Sequence, residues 1–151
     1  HERSLIIQGV YGKKVSLICP APHSPFHAAK QKSLQDKTAL MSETETERLT
    51  ERVIDPRGLV AYQPGSIVSR MLINTPAGTI TIFAFDADEG LSEHTAPYDA
   101  VLEVLEGEAL ITIAGTDYSL TAGEMIIMPA GKPHAVQAIT QFKMMLTMIH
   151  A

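Results

Sequence analysis

The chain has 151 residues, a formal net charge of −5, 5% aromatic residues and no Trp. That length suits one domain able to bury a core without staples, and the acidic balance argues against nucleic-acid and anionic-membrane binding. The single cysteine, Cys19, excludes an intramolecular disulfide framework and fits a reducing cytosol, and no apolar run approaches the roughly 20 residues of a membrane span, so a soluble cytoplasmic protein is expected.

Residues 1–40 carry six Lys/Arg against two Asp/Glu, whereas 41–151 carry six against fifteen, and all seven methionines lie at or after Met41. The chain opens on His1, and "SLIIQGVYGKKVSLICP" lacks the continuous apolar run and small-residue cleavage site of a signal peptide. Residues 1–40 read as an extension, either disordered, a remnant of expression, or upstream of a natural start at Met41. The other reading is an arm that adds a strand, with "VSLIC" the segment to do it. Residues 41–60 read as a short acidic helix and linker. "SETETERLTERV" (42–53) has a Ser/Thr-x-x-Glu start, offers mainly Leu49 and Val53 to a core, and should end at Pro56 and Gly58.

From residue 61 to 151 the chain reads as strand after strand. The segments are 66–74, 78–86, 100–107, 109–115, 117–123, 124–131, 134–140 and 142–149. Each is short and rich in apolar or β-branched residues, and turn signals such as "TPAG", "AGTD" and "PAGKP" separate them. Turns every 8–12 residues without an intervening amphipathic helix predict an all-β sandwich or barrel. "LEGEA" predicts a tight hairpin turn with φ > 0 at Gly107. "PAGKPH" is confined to a loop by its two prolines and glycine, which places His134 at the start of a strand. In "FKMMLTMI", alternation sets Met144, Leu146 and Met148 on one face, opposite Lys143, Met145 and Thr147.

The segment "HTAPYDAVLEVLEGEALITIAGTDYSLTAGEMIIMPAGKPHAVQA" resembles the cupin superfamily, in particular its small single-domain barrels. The second cupin motif is present as Gly123, Pro129, Gly131 and His134, with Ala138 in place of the final Asn. The first is degenerate. His94 stands at its first His and Gly107 at its closing Gly, but Ala96 replaces the second His, Ala100 the Glu, and Asp88 the opening Gly. The resemblance covers roughly residues 60–150 and implies a double-stranded β-helix, or jelly-roll, barrel.

In that family three His and one Glu hold Mn, Fe, Ni, Zn or Cu, and imidazole and carboxylate suit such metals. Only His94 and His134 remain here. Period-2 alternation sends Asp99, Glu103 and Glu93 to the opposite face, leaves Tyr98 inward as a weak donor, and would require the C-terminal tail to fold back to bring in His150. The candidate ligand cavity is therefore His94, Ala96, Tyr98, Ala100 and His134, with His94 and His134 as the candidate metal ligands.

Three readings follow. The first is a binder of a small, largely apolar organic molecule, in a cavity enlarged where Ala96 and Ala100 replace bulky ligands. The second is a metal-dependent enzyme (an oxygenase, isomerase or lyase) using His94 and His134 as ligands and a weakly held divalent transition metal such as Zn, Cu, Fe, Mn or Ni. The third is a filled interior serving oligomerisation or partner binding. The methionines of the last strands are expected as core packing, with a soft Met/His site for Cu(I) as the alternative. The resemblance also implies a homodimer formed through outer strands.

Overall fold

The structure is a computed structural model that describes residues 5–8, 14–17 and 48–150, the first two segments by their backbone alone. It is all-β. In chain order the strands are β1 (Leu5–Gln8), β2 (Lys14–Leu17), β3 (Ile67–Thr75), β4 (Gly78–Phe85), β5 (Gly90–His94) and β6 (Asp99–Glu106). They are followed by β7 (Glu108–Ile113), β8 (Thr116–Thr121), β9 (Met125–Met128), β10 (His134–Ala138) and β11 (Phe142–Ile149).

Two sheets face each other, one of seven strands in the order β1-β2-β3-β4-β11-β6-β9 and one of four in the order β5-β10-β7-β8. After the β3–β4 hairpin the chain alternates between them. β5, β7, β8 and β10 lie in the small sheet, and β6, β9 and β11 in the large one. This winding of two sheets about one interior is the jelly roll that the turn spacing and the motifs predict.

The interior is apolar. Phe85, Leu102, Val104, Ile111, Phe142 and Met144 are fully or almost fully buried between the sheets. Phe85 and Phe142 stack at its centre with centroids 4.5 Å apart. A smaller cluster lies on the outer face of the large sheet, where Val60, Leu59 and Tyr62 cover Val68, Ile82, Ala84 and Met145. Thus β11 is buried on both faces, Met144 toward the barrel and Met145 toward the covering segment.

That segment is clamped by a polar cluster. The Lys143 ammonium donates to the Arg57 carbonyl at 2.7 Å and pairs with the Glu106 carboxylate at 2.9 Å. The Tyr62 hydroxyl donates to the same carboxylate oxygen at 2.7 Å. The Lys143 hydrogen bond holds the Glu106 carboxyl below its ordinary range, whereas burial and the neighbouring Glu106 charge push the Tyr62 phenol up.

Several sequence expectations change. Of the helix expected over 42–53, residues 42–47 lie outside the described part and only Arg48 and Leu49 are helical. Pro56 and Gly58, expected as terminators, instead lie within a turn of 3-10 helix, Pro56–Leu59. Asp55 caps it, accepting from the Arg57 backbone N–H, and proline is tolerated at the first turn because its missing N–H would have no helical partner there. Val15–Leu17 of the "VSLIC" segment lie in β2, which pairs antiparallel with β1 and runs parallel beside β3. Cys19, Met41 and the remaining residues of 1–47 lie outside the described part.

Gly107 does take a positive φ, +79°, but it makes no hairpin. β6 pairs with β11 and β9, and β7 pairs with β10 and β8, so Gly107 is the corner where the chain leaves one sheet for the other. A two-residue hairpin with positive φ lies further on, at Ala114–Gly115 between β7 and β8, where both residues have the positive φ that a type I′ turn requires.

Candidate functional site

His94 is the last residue of β5 and His134 the first of β10, and the two are direct partners across that strand pair. Their rings meet edge to face with centroids 4.3 Å apart. His134 is only 5% exposed, and His94 is half-buried. Each ring is fixed by its own chain. His94 Nδ1 lies 2.9 Å from the Ser92 carbonyl and His134 Nδ1 lies 3.0 Å from the Lys132 carbonyl. A carbonyl only accepts, so both Nδ1 atoms carry hydrogen, and in a neutral ring of this tautomer Nε2 carries the lone pair. Burial lowers the pKa of His134, a hydrogen bond to Lys132 opposes that shift, and the adjacent His94 adds to it.

The loop that delivers His134 is held by its neighbours. Gly131 donates its backbone N–H to the Ala96 carbonyl at 2.8 Å, and Ala130 donates to Asp99 Oδ1 at 2.8 Å. Ala114 N–H reaches the Pro133 carbonyl, also at 2.8 Å. Asp99 is thus a positioning residue. Its carboxylate faces away from the interior, as alternation requires, and ties the two mouth loops together.

The remaining candidates fall at the same end of the barrel. Ala96 and Tyr98 are half-buried in the loop between β5 and β6, and Ala100 is buried in β6. Across the sheet Ala100 lies opposite Met128 on one side and Met148 on the other. Directly opposed residues share a face, so the position where the family carries a carboxylate is a small methyl between two thioethers. Ala100 and Met128 belong to the core cluster, and Met148 packs against it.

His150 needs no tail folded back. β11 runs antiparallel to β6 with Ile149 opposite Asp99, which brings the next residue beside Tyr98. The two rings lie with centroids 4.1 Å apart and their planes tilted by 31°. The signal was available in the sequence, because a strand continued to residue 149 and paired with the strand of Ala100 places residues 98 and 150 together. What the sequence did not supply was the pairing of β11 with β6.

Metal ligation is poorly served by this donor set. Among the described residues no three His, Cys, Asp or Glu side chains come together as a metal site. Two imidazoles alone fall short of the family's quartet.

Asp88, in place of the opening glycine of the first motif, has φ +65°, a conformation that Asp tolerates better than most residues. Among the described residues, no helix is long and apolar enough to cross a membrane.

A cupin-domain family model matches residues 81–150, and no curated protein matches the chain. A conserved protein of unknown function from Streptococcus pyogenes is 34% identical, covering 67% of this chain and 89% of its own, with a TM-score of 0.65. A cupin superfamily protein from Desulfitobacterium hafniense is 26% identical over 68% of this chain and 94% of its own, also with a TM-score of 0.65. A cupin 2 conserved barrel domain protein from Leptotrichia buccalis is 38% identical over 62% of this chain and 45% of its own, with a TM-score of 0.60. Two motifs, one complete but for its final Asn and one degenerate, a jelly roll with His94 and His134 paired at one end, and these likenesses agree: the chain belongs to the cupin superfamily.

Proposed function

We propose that this cupin binds a small, largely apolar organic molecule at the mouth formed by His94, Ala96, Tyr98, Ala100 and His134, without a tightly held metal. The observation that carries the reading is the His94–His134 pair, with both Nδ1–H groups tied to backbone carbonyls. A neutral His134 imidazole of this tautomer presents an acceptor at Nε2, and so suits a ligand with a hydroxyl or amide proton on an apolar body. Burial supports the role by keeping His134 neutral near pH 7. The thioethers of Met128 and Met148 beside Ala100 favour an apolar body over a charged one.

The competing reading is a metal-dependent oxygenase, isomerase or lyase that uses His94 and His134 as ligands. It needs at least one further donor, and beside Ala96 and Ala100 the chain offers only the Tyr98 phenol, a weak donor when neutral.

A thermal-shift screen with small phenols and aromatic amides tests the binder. Ligands that raise the melting temperature of the wild type should lose that effect in His94→Ala and His134→Ala. A shift retained in both variants would place binding elsewhere. The family further leads us to propose a homodimer through the outer face of the large sheet, where Ile73 and Ile149 are exposed. Sedimentation of Ile73→Glu tests it, and an unchanged dimer would exclude that face.

A further inference from the structure

β9 closes the open end of the large sheet, and β6 is its only hydrogen-bonded neighbour among the described strands. An edge strand directs half of its N–H and C=O groups away from its partner, where they template another strand. Proteins blunt such edges with charge, proline or bulges. The two edges of the small sheet show these devices, since β5 carries Glu93 and pairs irregularly with β10, and β8 carries Asp117. Met125–Met128 has no charge, no proline and no break in its register with β6. Its outward side chains are bare, with Met125 60% and Ile127 57% exposed.

Beside this edge, between the borders of the two sheets, lies an open groove of about 760 Å³. Tyr118, Leu120, Met125 and Ile126 give it an apolar lining, and Asp117 and Glu124 are its charged members. Both carboxylates are held in place, Asp117 by the Thr112 hydroxyl at 2.6 Å and Glu124 by the Thr121 backbone N–H at 2.7 Å. Glu103 adds a third acid directly opposite Met125 on β6. No Lys or Arg is among the lining residues. A second copy docked edge to edge would set these acids against their own duplicates, which is unfavourable.

We infer that β9 and its groove form a docking edge for an extended peptide segment with alternating apolar residues flanked by Lys or Arg. Such a segment adds a strand to β9, lays apolar side chains against Met125 and Ile127, and pairs its basic ends with Asp117, Glu124 and Glu103. The site is independent of the His94–His134 mouth and does not rest on the ligand proposed there.

The test uses the whole chain and two fluorescein-labelled peptides, Lys-Val-Thr-Val-Thr-Val-Lys and its counterpart with Glu at both ends, followed by fluorescence anisotropy. The basic peptide should bind and the acidic one should not. Met125→Lys and Glu124→Lys should each weaken binding about tenfold. Amide exchange at Ile126, Ile127 and Met128 should slow in the complex. Because Glu124→Lys also removes a partner of Thr121, the exposed Met125→Lys variant keeps the test independent of folding. Absence of binding, equal binding of the two peptides, unchanged affinity in Met125→Lys, or self-association that Met125→Lys abolishes would each overturn the inference.

Discussion

Replacing Gly107 with alanine should be far more costly than the same change at glycines of similar backbone conformation. Two effects combine at this corner. A residue with a Cβ at φ +79° loses about 1–2 kcal/mol to left-handed strain. The new methyl would also overlap the carbonyl oxygen of Gln141 and lie 2.8 Å from Phe142 Cα and Cβ. These atoms belong to the entry of β11, and the Phe142 ring is locked in the core against Phe85, so retreat is expensive. Overpacking of this kind costs typically about 1–3 kcal/mol, which brings Gly107→Ala to about 2–5 kcal/mol in total. Gly115 and Gly131 have φ of +82° and +75° with nothing within 4 Å of an added Cβ. Gly115→Ala and Gly131→Ala therefore carry the backbone cost alone, about 1–2 kcal/mol. Urea unfolding followed by circular dichroism reads all three as shifts in midpoint at constant slope. If Gly107→Ala matched the two controls, the main chain at Gln141–Phe142 would be yielding freely, and the tight packing argued for this corner would be wrong.

Three further outcomes follow from particular contacts. Ala114 holds φ +48° before Gly115 in the β7–β8 turn, so Ala114→Asn should raise stability by about 0.5–1 kcal/mol in the same assay; a loss would contradict the turn type. Lys143→Met removes the hydrogen bonds to Glu106 and to the Arg57 carbonyl, and should cost about 1–3 kcal/mol while speeding amide exchange at Gly58, whose N–H bonds the Asp55 carbonyl. Unchanged exchange there would show that apolar contacts alone hold the covering segment. Burial lowers the His134 pKa from 6.5, so its neutral form favours the fold: the contribution is complete above about pH 6.5 and fades as the pH falls toward the folded value. Glu106, also lowered but from 4.5, acts in a more acidic window. Melting temperature should therefore drop in the wild type between pH 7.5 and 5.5, about one unit either side of that value, and the drop should be smaller in His134→Gln; equal slopes would show that His134 does not contribute.

Most of the fold was legible because its signals are local. Alternation and turn residues mark the strands from β6 to β11, and the second motif, lacking only its final Asn, places His134 at a strand start. β5 escaped because "GLSEH" is short and half polar, with no apolar alternation to mark it. The switch of sheets at Gly107 escaped for a different reason. A glycine with positive φ serves a hairpin or a corner equally, and only long-range pairing distinguishes them. The same limit hid the Tyr98–His150 contact, which depends on β11 lying beside β6. Asp99 was legible as outward-facing, but its bond to the Ala130 N–H depends on where the Pro129–Pro133 loop returns. The alanines of the first motif were plain in the sequence, and the two methionines flanking Ala100 were not.

Elemental analysis of the untagged protein, alongside His94→Ala and His134→Ala, bears most directly on the claim of a binder without a tightly held metal. Transition-metal content far below one equivalent per chain is expected in all three proteins. Iron, manganese, nickel, zinc or copper near one per chain in the wild type, lost in His134→Ala, would contradict it and make the pair a metal centre after all.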